Sequence, residues 1–152
     1  MQTARAELAA TIPDDWRWKE SLTLLAGKDD ANVMFSSEAV EPDVDAERYA
    51  VVQGEQLRSE FPGYRQIAFE PMRIMGGRDG FMRRFEWKPP DGVEVTQIQM
   101  YWVESSRGYT ATATTSTPNF HATEGVLVRI LESLALDRTP SPPTSPSGQP
   151  VT

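Results

Sequence analysis

The strongest constraint on the fold is a series of alternating segments between residues 66 and 116, separated by short turns rich in Gly, Pro and Asp. Alternation of apolar and polar side chains with a period of two predicts β-strands that have one face on a core. Tight turns at residues 76–80, 89–92 and 107–108 join neighbouring antiparallel strands. This region therefore predicts an antiparallel meander of four strands, whose longest member covers residues 93–103.

The residues before this meander predict three more strands and a helix. The segments at residues 17–25 and 32–39 alternate in the same way and predict a hairpin. Residues 4–12 predict a first strand that precedes it, although their alanines also suit a helix. Apolar residues with a spacing near 3.6 over residues 46–61 predict a helix. Asp45 is its candidate N-cap, because a carboxylate at that position accepts hydrogen bonds from the free N–H groups of the first turn.

A last helix is predicted from Pro118 onward. Its predicted buried stripe consists of apolar residues at helical spacing, with Val126 at the margin: Phe120, Leu127, Ile130, Leu131 and Leu134. The order of strands and helices predicts an α+β domain with a mostly antiparallel sheet of about six or seven strands. We expect both helices to pack on one face of that sheet and to leave the other face open.

The composition excludes several classes of protein. The 152 residues include 15 basic and 22 acidic side chains, for a net charge of −7, and no cysteine. This length fits one domain. An acidic chain is a poor partner for nucleic acid, because phosphate groups require a basic surface. Without cysteine the chain forms no disulfide framework, zinc finger, iron–sulfur site or thiol nucleophile.

No motif predicts catalysis, a metal or a cofactor. His121 is the only histidine, and the chain has no nucleophile-elbow pattern that would place it in a Ser-His-Asp arrangement. Adjacent acidic pairs such as Asp14–Asp15 and Asp29–Asp30 are typical of turns and lack the ligand spacing of an EF-hand. We therefore predict a protein that is not an enzyme and that has no catalytic residues, metal ligands or cofactor.

The chain divides into a domain over residues 1–137 and a tail over residues 138–152. The tail is rich in Pro, Ser and Thr and buries too little apolar surface to fold, so we predict that it is disordered. Its Pro143-x-x-Pro146 spacing fits a polyproline ligand, although a frayed terminus explains the same residues. The first residues lack the basic and apolar regions of a signal peptide, which predicts a cytoplasmic protein unless a leader has been removed.

The predicted strand at residues 93–103 has an unusual pattern. It carries large side chains on both faces, which in alternation are Gln97, Ile98, Gln99, Met100, Tyr101 and Trp102. If both helices cover one face, the other face is partly apolar and exposed, and Leu22 and Leu24 of the hairpin extend it. Such a patch marks a protein or membrane partner, or alternatively a dimer interface or a second covering layer. Glutamine suits the polar part of a groove, because it offers a donor and an acceptor without charge.

Short motifs along residues 10–136 resemble the DcrB family, whose fold is a PsbP-like α/β sandwich. In order they are Ile12-Pro13-Asp14-Asp15-Trp16, Ser21-Leu22-Thr23-Leu24-Leu25, Phe61-Pro62-Gly63-Tyr64, Gly76-Gly77-Arg78-Asp79-Gly80, Phe85-Glu86-Trp87, Gln97-Ile98-Gln99-Met100-Tyr101, Tyr109-Thr110-Ala111-Thr112-Ala113-Thr114 and Ile130-Leu131-Glu132-Ser133-Leu134. The order and spacing of these motifs carry the resemblance.

Members without a signal peptide are similar to the Eag chaperones of type VI secretion. Those chaperones are cytoplasmic homodimers whose concave sheet holds N-terminal transmembrane helices of secreted effectors before export. The resemblance therefore implies a chaperone or adaptor that shields such a helix, forms a homodimer, and neither binds nucleic acid nor inserts into the membrane. It implies apolar groove positions at Leu22, Leu24, Phe35 and Ile98, and a polar groove role for Gln97 or Gln99. Tyr101, which shares the face of these glutamines, is a further candidate for partner binding. Other members are secreted lipoproteins, so an envelope-associated scaffold is the alternative.

Overall fold

The structure is a computed structural model that describes residue 2 and residues 10–26, 30–74 and 77–134. The elements are β1 (Lys19–Leu25), β2 (Asn32–Ala39), α1 (Ala46–Glu60), β3 (Arg65–Ile74), β4 (Arg78–Trp87), β5 (Val95–Glu104), β6 (Arg107–Ser116) and α2 (Thr117–Glu132). The six strands form one open sheet in the order β1-β2-β6-β5-β4-β3, and every neighbouring pair is antiparallel. The predicted α+β class with a mostly antiparallel sheet is confirmed.

Local sequence signals explain where several elements begin and end. The side chain of Asp45 accepts a hydrogen bond from the backbone N–H of Arg48 at 2.8 Å, so the predicted N-cap of α1 is confirmed. Strand β2 has the predicted limits. The predicted strand over residues 4–12 is absent at residues 10–12, and its other residues lie outside the described part of the chain, as does the predicted tail.

The two helices pack on opposite faces of the sheet, so the prediction that both cover one face is wrong. On one face, Tyr49 and Ala50 of α1 pack against Tyr101 of β5. On the other, the stripe of α2 packs against the residues that alternate with Tyr101, among them Met100. The physical reason lies in β5, whose large side chains point to both faces, so that each face requires its own cover. We call these surfaces the α1 face and the α2 face.

Most of the predicted α2 stripe is confirmed. Three of its members are buried, namely Phe120, Leu127 and Leu131. The other two, Ile130 and Leu134, are partly buried against the same core. Val126, predicted at the margin, is 47% exposed. Helix α1 lies over β4 and β5, whereas α2 lies over β5 and β6, so each helix leaves part of its face open.

Helix α1 is held to the sheet by a buried arginine. Arg83 of β4 is 3% exposed, and its Nη1 donates to the Ala50 carbonyl oxygen at 3.1 Å and to the Tyr101 hydroxyl oxygen at 2.6 Å. Its Nε donates to Gln66 Oε1 at 3.2 Å, and its guanidinium lies 4.4 Å from the ring centre of Phe69. Among the described residues, no carboxylate forms an ion pair with Arg83. Neutral acceptors and aromatic rings therefore solvate this cation.

Two glycines that the sequence predicts in turns are strand residues. The turn between β5 and β6 lies at Ser105 and Ser106, whose φ angles are 51° and 58°, rather than at residues 107–108. Gly108 lies in β6 against the ring of Tyr49, and Gly80 lies in β4 against the carbonyl oxygen of Tyr101. These two positions lack a side chain because buried groups occupy the space where a Cβ would lie.

Candidate binding surface

The structure divides the predicted partner-binding residues between the two faces. The apolar residues lie on the α2 face, namely Leu22, Leu24, Phe35 and Ile98. The polar residues and the tyrosine lie on the α1 face, namely Gln97, Gln99 and Tyr101. The prediction of one binding surface that combines both sets is therefore wrong, because successive residues of a strand point to opposite sides of the sheet.

On the α1 face, the predicted polar residues serve the sheet itself. Trp87 Nε1 donates to Gln97 Oε1 at 2.6 Å, and Gln97 Nε2 donates to Thr114 Oγ1 at 2.6 Å. Gln99 Nε2 donates to Thr112 Oγ1 at 3.0 Å. Because these amide groups are already engaged, both glutamines have little remaining capacity for a partner.

Tyr101 is a core residue of the same face. Its hydroxyl group accepts a hydrogen bond from Arg83 and donates one to Gln99. The side chain is fully buried beneath α1, and this burial raises the pKa of Tyr101 above its ordinary value of 10.0. Tyr101 therefore holds α1 on the sheet and is not accessible to a partner.

On the α2 face, three of the four predicted apolar residues are accessible. Leu22 pairs with Phe35 and Leu24 pairs with Val33 across β1 and β2, and Leu22, Leu24 and Phe35 are all half-buried. Ile98 is only 8% exposed, because it belongs to the core beneath α2. The hairpin thus brings together the accessible part of the predicted apolar site.

An apolar groove runs between this hairpin and α2. We name it the β1–α2 groove, and its volume is about 300 Å³. One wall comes from the hairpin and consists of Leu24, Leu25, Ala26, Ala31, Asn32 and Val33. The other comes from one side of α2 and consists of Asn119, Ala122, Thr123, Val126, Leu127 and Ile130. None of these lining residues is charged. Leu25, 79% exposed, and Val126, 47% exposed, form its outer rim.

Sequence reasoning did not assign Leu25 and Val126 to the site. Both residues belong to the predicted elements, but only the tertiary contact between the hairpin end and α2 makes them neighbours. The one available signal was the marginal position of Val126 on the helical stripe.

Asp30 closes the N-terminal end of α2 beside the groove. Ser116 is the N-cap of α2, but its side chain makes no capping hydrogen bond. Instead, Thr115 Oγ1 donates to Asp30 Oδ1 at 3.3 Å. Desolvation raises the pKa of Asp30, but hydrogen bonds with Ser116, Thr115 and Asn119 outweigh it, so the pKa lies below its ordinary value of 3.8. Asp30 thus ties the β1–β2 loop to the helix.

We expect Asp30→Asn to lower the stability near pH 7 by less than about 1 kcal/mol, because the carboxylate is exposed. A lowered pKa means that the stabilisation is complete above 3.8 and is lost as the pH falls through the folded-state value. Urea unfolding of both proteins at pH 7 and pH 3 measures the effect. The difference in unfolding free energy between the two proteins should be smaller at pH 3 than at pH 7. An equal difference at both pH values would contradict the role of the charge.

Besides the groove, the described residues form a second cavity of about 330 Å³, whose lining includes the charged Arg73 and Glu132. No cluster of three or more His, Asp or Glu side chains in the described part of the chain could hold a metal ion. His121 is exposed on the first turns of α2. Within the same part of the chain, no helix combines the length and apolar character needed to cross a membrane.

Comparison with known proteins identifies relatives by structure alone. No protein-family model matches the chain, and no curated protein matches it. A Pseudomonas aeruginosa protein of unknown function, PA94, aligns with a TM-score of 0.64 and 18% identity over 84% of this chain and 90% of its own. CyanoP, the cyanobacterial PsbP of Synechocystis sp. PCC 6803, aligns with a TM-score of 0.50 and 10% identity over 72% of this chain and 78% of its own.

The fold is PsbP-like. LpqN of Mycobacterium tuberculosis, a protein involved in cell envelope biogenesis, shares it with a TM-score of 0.53 and 15% identity over 72% of this chain and 64% of its own. At these sequence identities the likeness shows a shared fold and no more. The binding properties of this chain therefore depend on its own side chains.

Proposed function

We propose that this protein is a non-catalytic chaperone or adaptor that shields an apolar helix of another protein in the β1–α2 groove. The uncharged lining of the groove is the observation that carries the proposal, because 24% of the residues in the chain are charged. An uncharged, largely apolar groove with exposed leucine and valine at its rim favours an occupant that is itself apolar. A non-catalytic accessory role is also compatible with the structural neighbours.

A helix suits this groove better than an extended segment. A helix satisfies its own backbone hydrogen bonds, so its partner has to cover only side chains. The groove has room for a few side chains from one face of a helix, and Asn32, Asn119 and Thr123 offer polar contacts along its walls. Leu22 and Phe35 extend the apolar surface along the hairpin.

The client that we propose is a transmembrane helix of a secreted effector, held in the cytoplasm before export by type VI secretion. The resemblance to Eag chaperones supports this client. The physical task is also consistent with it, because a transmembrane helix exposed to water requires about 20 residues of apolar surface to be covered. Such a task needs no catalytic group or cofactor.

The test uses a labelled model peptide of 20 Leu and Ala residues with lysines at both ends. We expect the protein to keep this peptide soluble and Val126→Asp to weaken binding by roughly tenfold or more, because the new carboxylate would be desolvated beside an apolar helix. Val126 is 47% exposed, so the substitution leaves the core unchanged. Fluorescence anisotropy with increasing protein concentration measures the affinity.

Met34→Asp is the matched control, because Met34 is 44% exposed and lies on the α1 face of β2. The control should bind the peptide like the unaltered protein. Equal affinities for Val126→Asp and the unaltered protein, or equal losses in both variants, would reject the groove as the binding site.

An envelope-associated scaffold is the second candidate, and one observation favours it. Trp16 and Trp18 are 64% and 48% exposed, and tryptophan is enriched where proteins meet the membrane surface. The guanidinium group of Arg107 lies over the ring of Trp18, at 3.6 Å from the ring centre. A blue shift of tryptophan emission on anionic lipid vesicles, together with no binding of the peptide, would favour the scaffold over the chaperone.

A further inference from the structure

Three methionines occupy neighbouring positions on the α2 face of the sheet. Met82 of β4 is the cross-strand partner of Met100 of β5, so their side chains leave the sheet next to each other. Met72 of β3 pairs with Gly80, which has no side chain and lies two residues before Met82 in β4. Met72 is therefore the diagonal neighbour of Met82, at a separation that long side chains can bridge. We call these three residues the methionine cluster.

The methionine cluster borders a cavity and does not fill it. Met100 is only 4% exposed, and Met72 and Met82 are partly buried against the same core. Met72 and Met100 both line the second cavity of about 330 Å³, together with Ile74 and Leu131. Methionine in a core usually fills irregular gaps, because its side chain is long and flexible. Here the space beside two of the methionines stays open and has room for a bound ion.

The surroundings of this cavity favour a positive charge. Glu132 lines the cavity from the last turn of α2, and the C-terminal end of a helix carries a partial negative charge. Arg73 also lines the cavity, but its Nη1 donates to the Gly77 carbonyl oxygen at 3.1 Å and its Nε lies 3.6 Å from Asp79 Oδ1. The charge of Arg73 is thus compensated within the β3–β4 hairpin. Arg129, the basic residue in the last turn of α2, does not line the cavity.

We propose that the methionine cluster binds one copper(I) ion at this cavity. Thioether sulfur is a soft ligand that selects copper(I), whereas carboxylate and carbonyl oxygens favour harder cations such as Mg²⁺ and Ca²⁺. The single positive charge of copper(I) suits the carboxylate of Glu132 and the end of α2. The chain has no cysteine, and its one histidine, His121, lies on the first turns of α2, whereas the cavity lies at the last turn. The thioethers are therefore the soft ligands that this protein can offer.

This site departs from the prediction of no metal ligands. Its three methionines are distant in sequence, and only the register of β3, β4 and β5 brings them together. The inference also goes beyond the proposed function, because the cavity and the β1–α2 groove have no lining residue in common. Val126→Asp tests the groove, so failure of the copper site and failure of the groove are distinguishable.

The test measures copper(I) binding by the full chain in competition with the coloured copper(I) complex of bicinchoninate, with ascorbate present to keep the copper reduced. We expect the unaltered protein to remove one copper(I) ion per chain from this complex. Met82→Leu should weaken binding by roughly tenfold or more, because it removes one of the three soft ligands. Leucine conserves most of the volume of methionine, and circular dichroism checks that the variant is folded.

Met34→Leu is the matched control, because the same chemical change is made at a methionine that is 44% exposed and lies on the α1 face. It should bind copper(I) like the unaltered protein. An excess of Zn²⁺ should not displace the copper, because zinc is bound by thiolate, imidazole and carboxylate ligands. No binding by the unaltered protein, equal affinities for Met82→Leu and the unaltered protein, an equal loss in Met34→Leu, or displacement by zinc would overturn the inference.

Discussion

Gly108→Ala should lower the free energy of unfolding by about 3 kcal/mol, because it overpacks the contact between β6 and α1. A Cβ at this position would lie 2.5 Å from two ring carbons of Tyr49. The ring cannot move aside easily, since Tyr49 is 4% exposed and its hydroxyl lies 3.1 Å from Thr110 Oγ1. Urea unfolding followed by circular dichroism measures the change.

Gly125→Ala is the control for this substitution. Gly125 lies within α2, and a Cβ there would have no atom within 4 Å. The same chemical change should stabilise the protein by about 0.5–1 kcal/mol, because alanine loses less backbone entropy in a helix than glycine. Similar effects at both positions would show that the contact with Tyr49 is not close, contrary to the structure.

Arg83→Ala should destabilise the domain by about 3 kcal/mol, whereas Arg83→Met should cost less than about 1 kcal/mol. The alanine variant leaves a cavity between α1 and the sheet. Methionine keeps most of the volume against Phe69 and removes a buried cation that has no ion-pair partner among the described residues. Thermal and urea unfolding of the two variants separate packing from charge.

The hydrogen-bond acceptors of Arg83 explain why methionine should be tolerated. The Ala50 carbonyl oxygen lies inside α1, where it also accepts the helical hydrogen bond. The Tyr101 hydroxyl still donates to Gln99, and Gln66 is exposed to water. Equal losses for Arg83→Met and Arg83→Ala would show that the guanidinium itself, rather than its volume, stabilises the contact.

Gly54 gives a further check on the same contact. A Cβ on Gly54 would lie 2.3 Å from Nη2 of Arg83, so the glycine makes room for the guanidinium beneath α1. In a double-mutant cycle, Gly54→Ala should be less destabilising in the Arg83→Met protein than in the unaltered one, because the clashing atoms are gone. Additive effects would argue against a direct contact.

The sequence predicted the strands and helices well because their signals are local. Alternation of side chains placed β2 and β5, and the capping oxygen of Asp45 placed the start of α1. The glycines misled the prediction at two turns, because Gly80 and Gly108 provide space for neighbours that are distant in sequence. A glycine in a turn and a glycine under a buried ring look the same in one sequence.

The candidate site was predicted in part. Leu22, Leu24 and Phe35 follow from strand alternation, and the structure places them on one accessible surface. The opposite placement of the helices could not be read from the sequence, because periodicity shows which side of a helix is apolar but not which face of the sheet it covers. For the same reason, the glutamines were assigned to a surface that α1 partly occupies.

The opposite placement of the helices makes β5 the strand that both helices lie over. Its amide protons bond to β4 and β6, so they exchange with solvent only after the sheet itself has opened, whereas an edge strand such as β1 can detach by a local fluctuation. The last structure to be lost is therefore the centre, and the first is the hairpin that borders the groove. The domain can loosen its outer hairpin repeatedly while its interior remains intact.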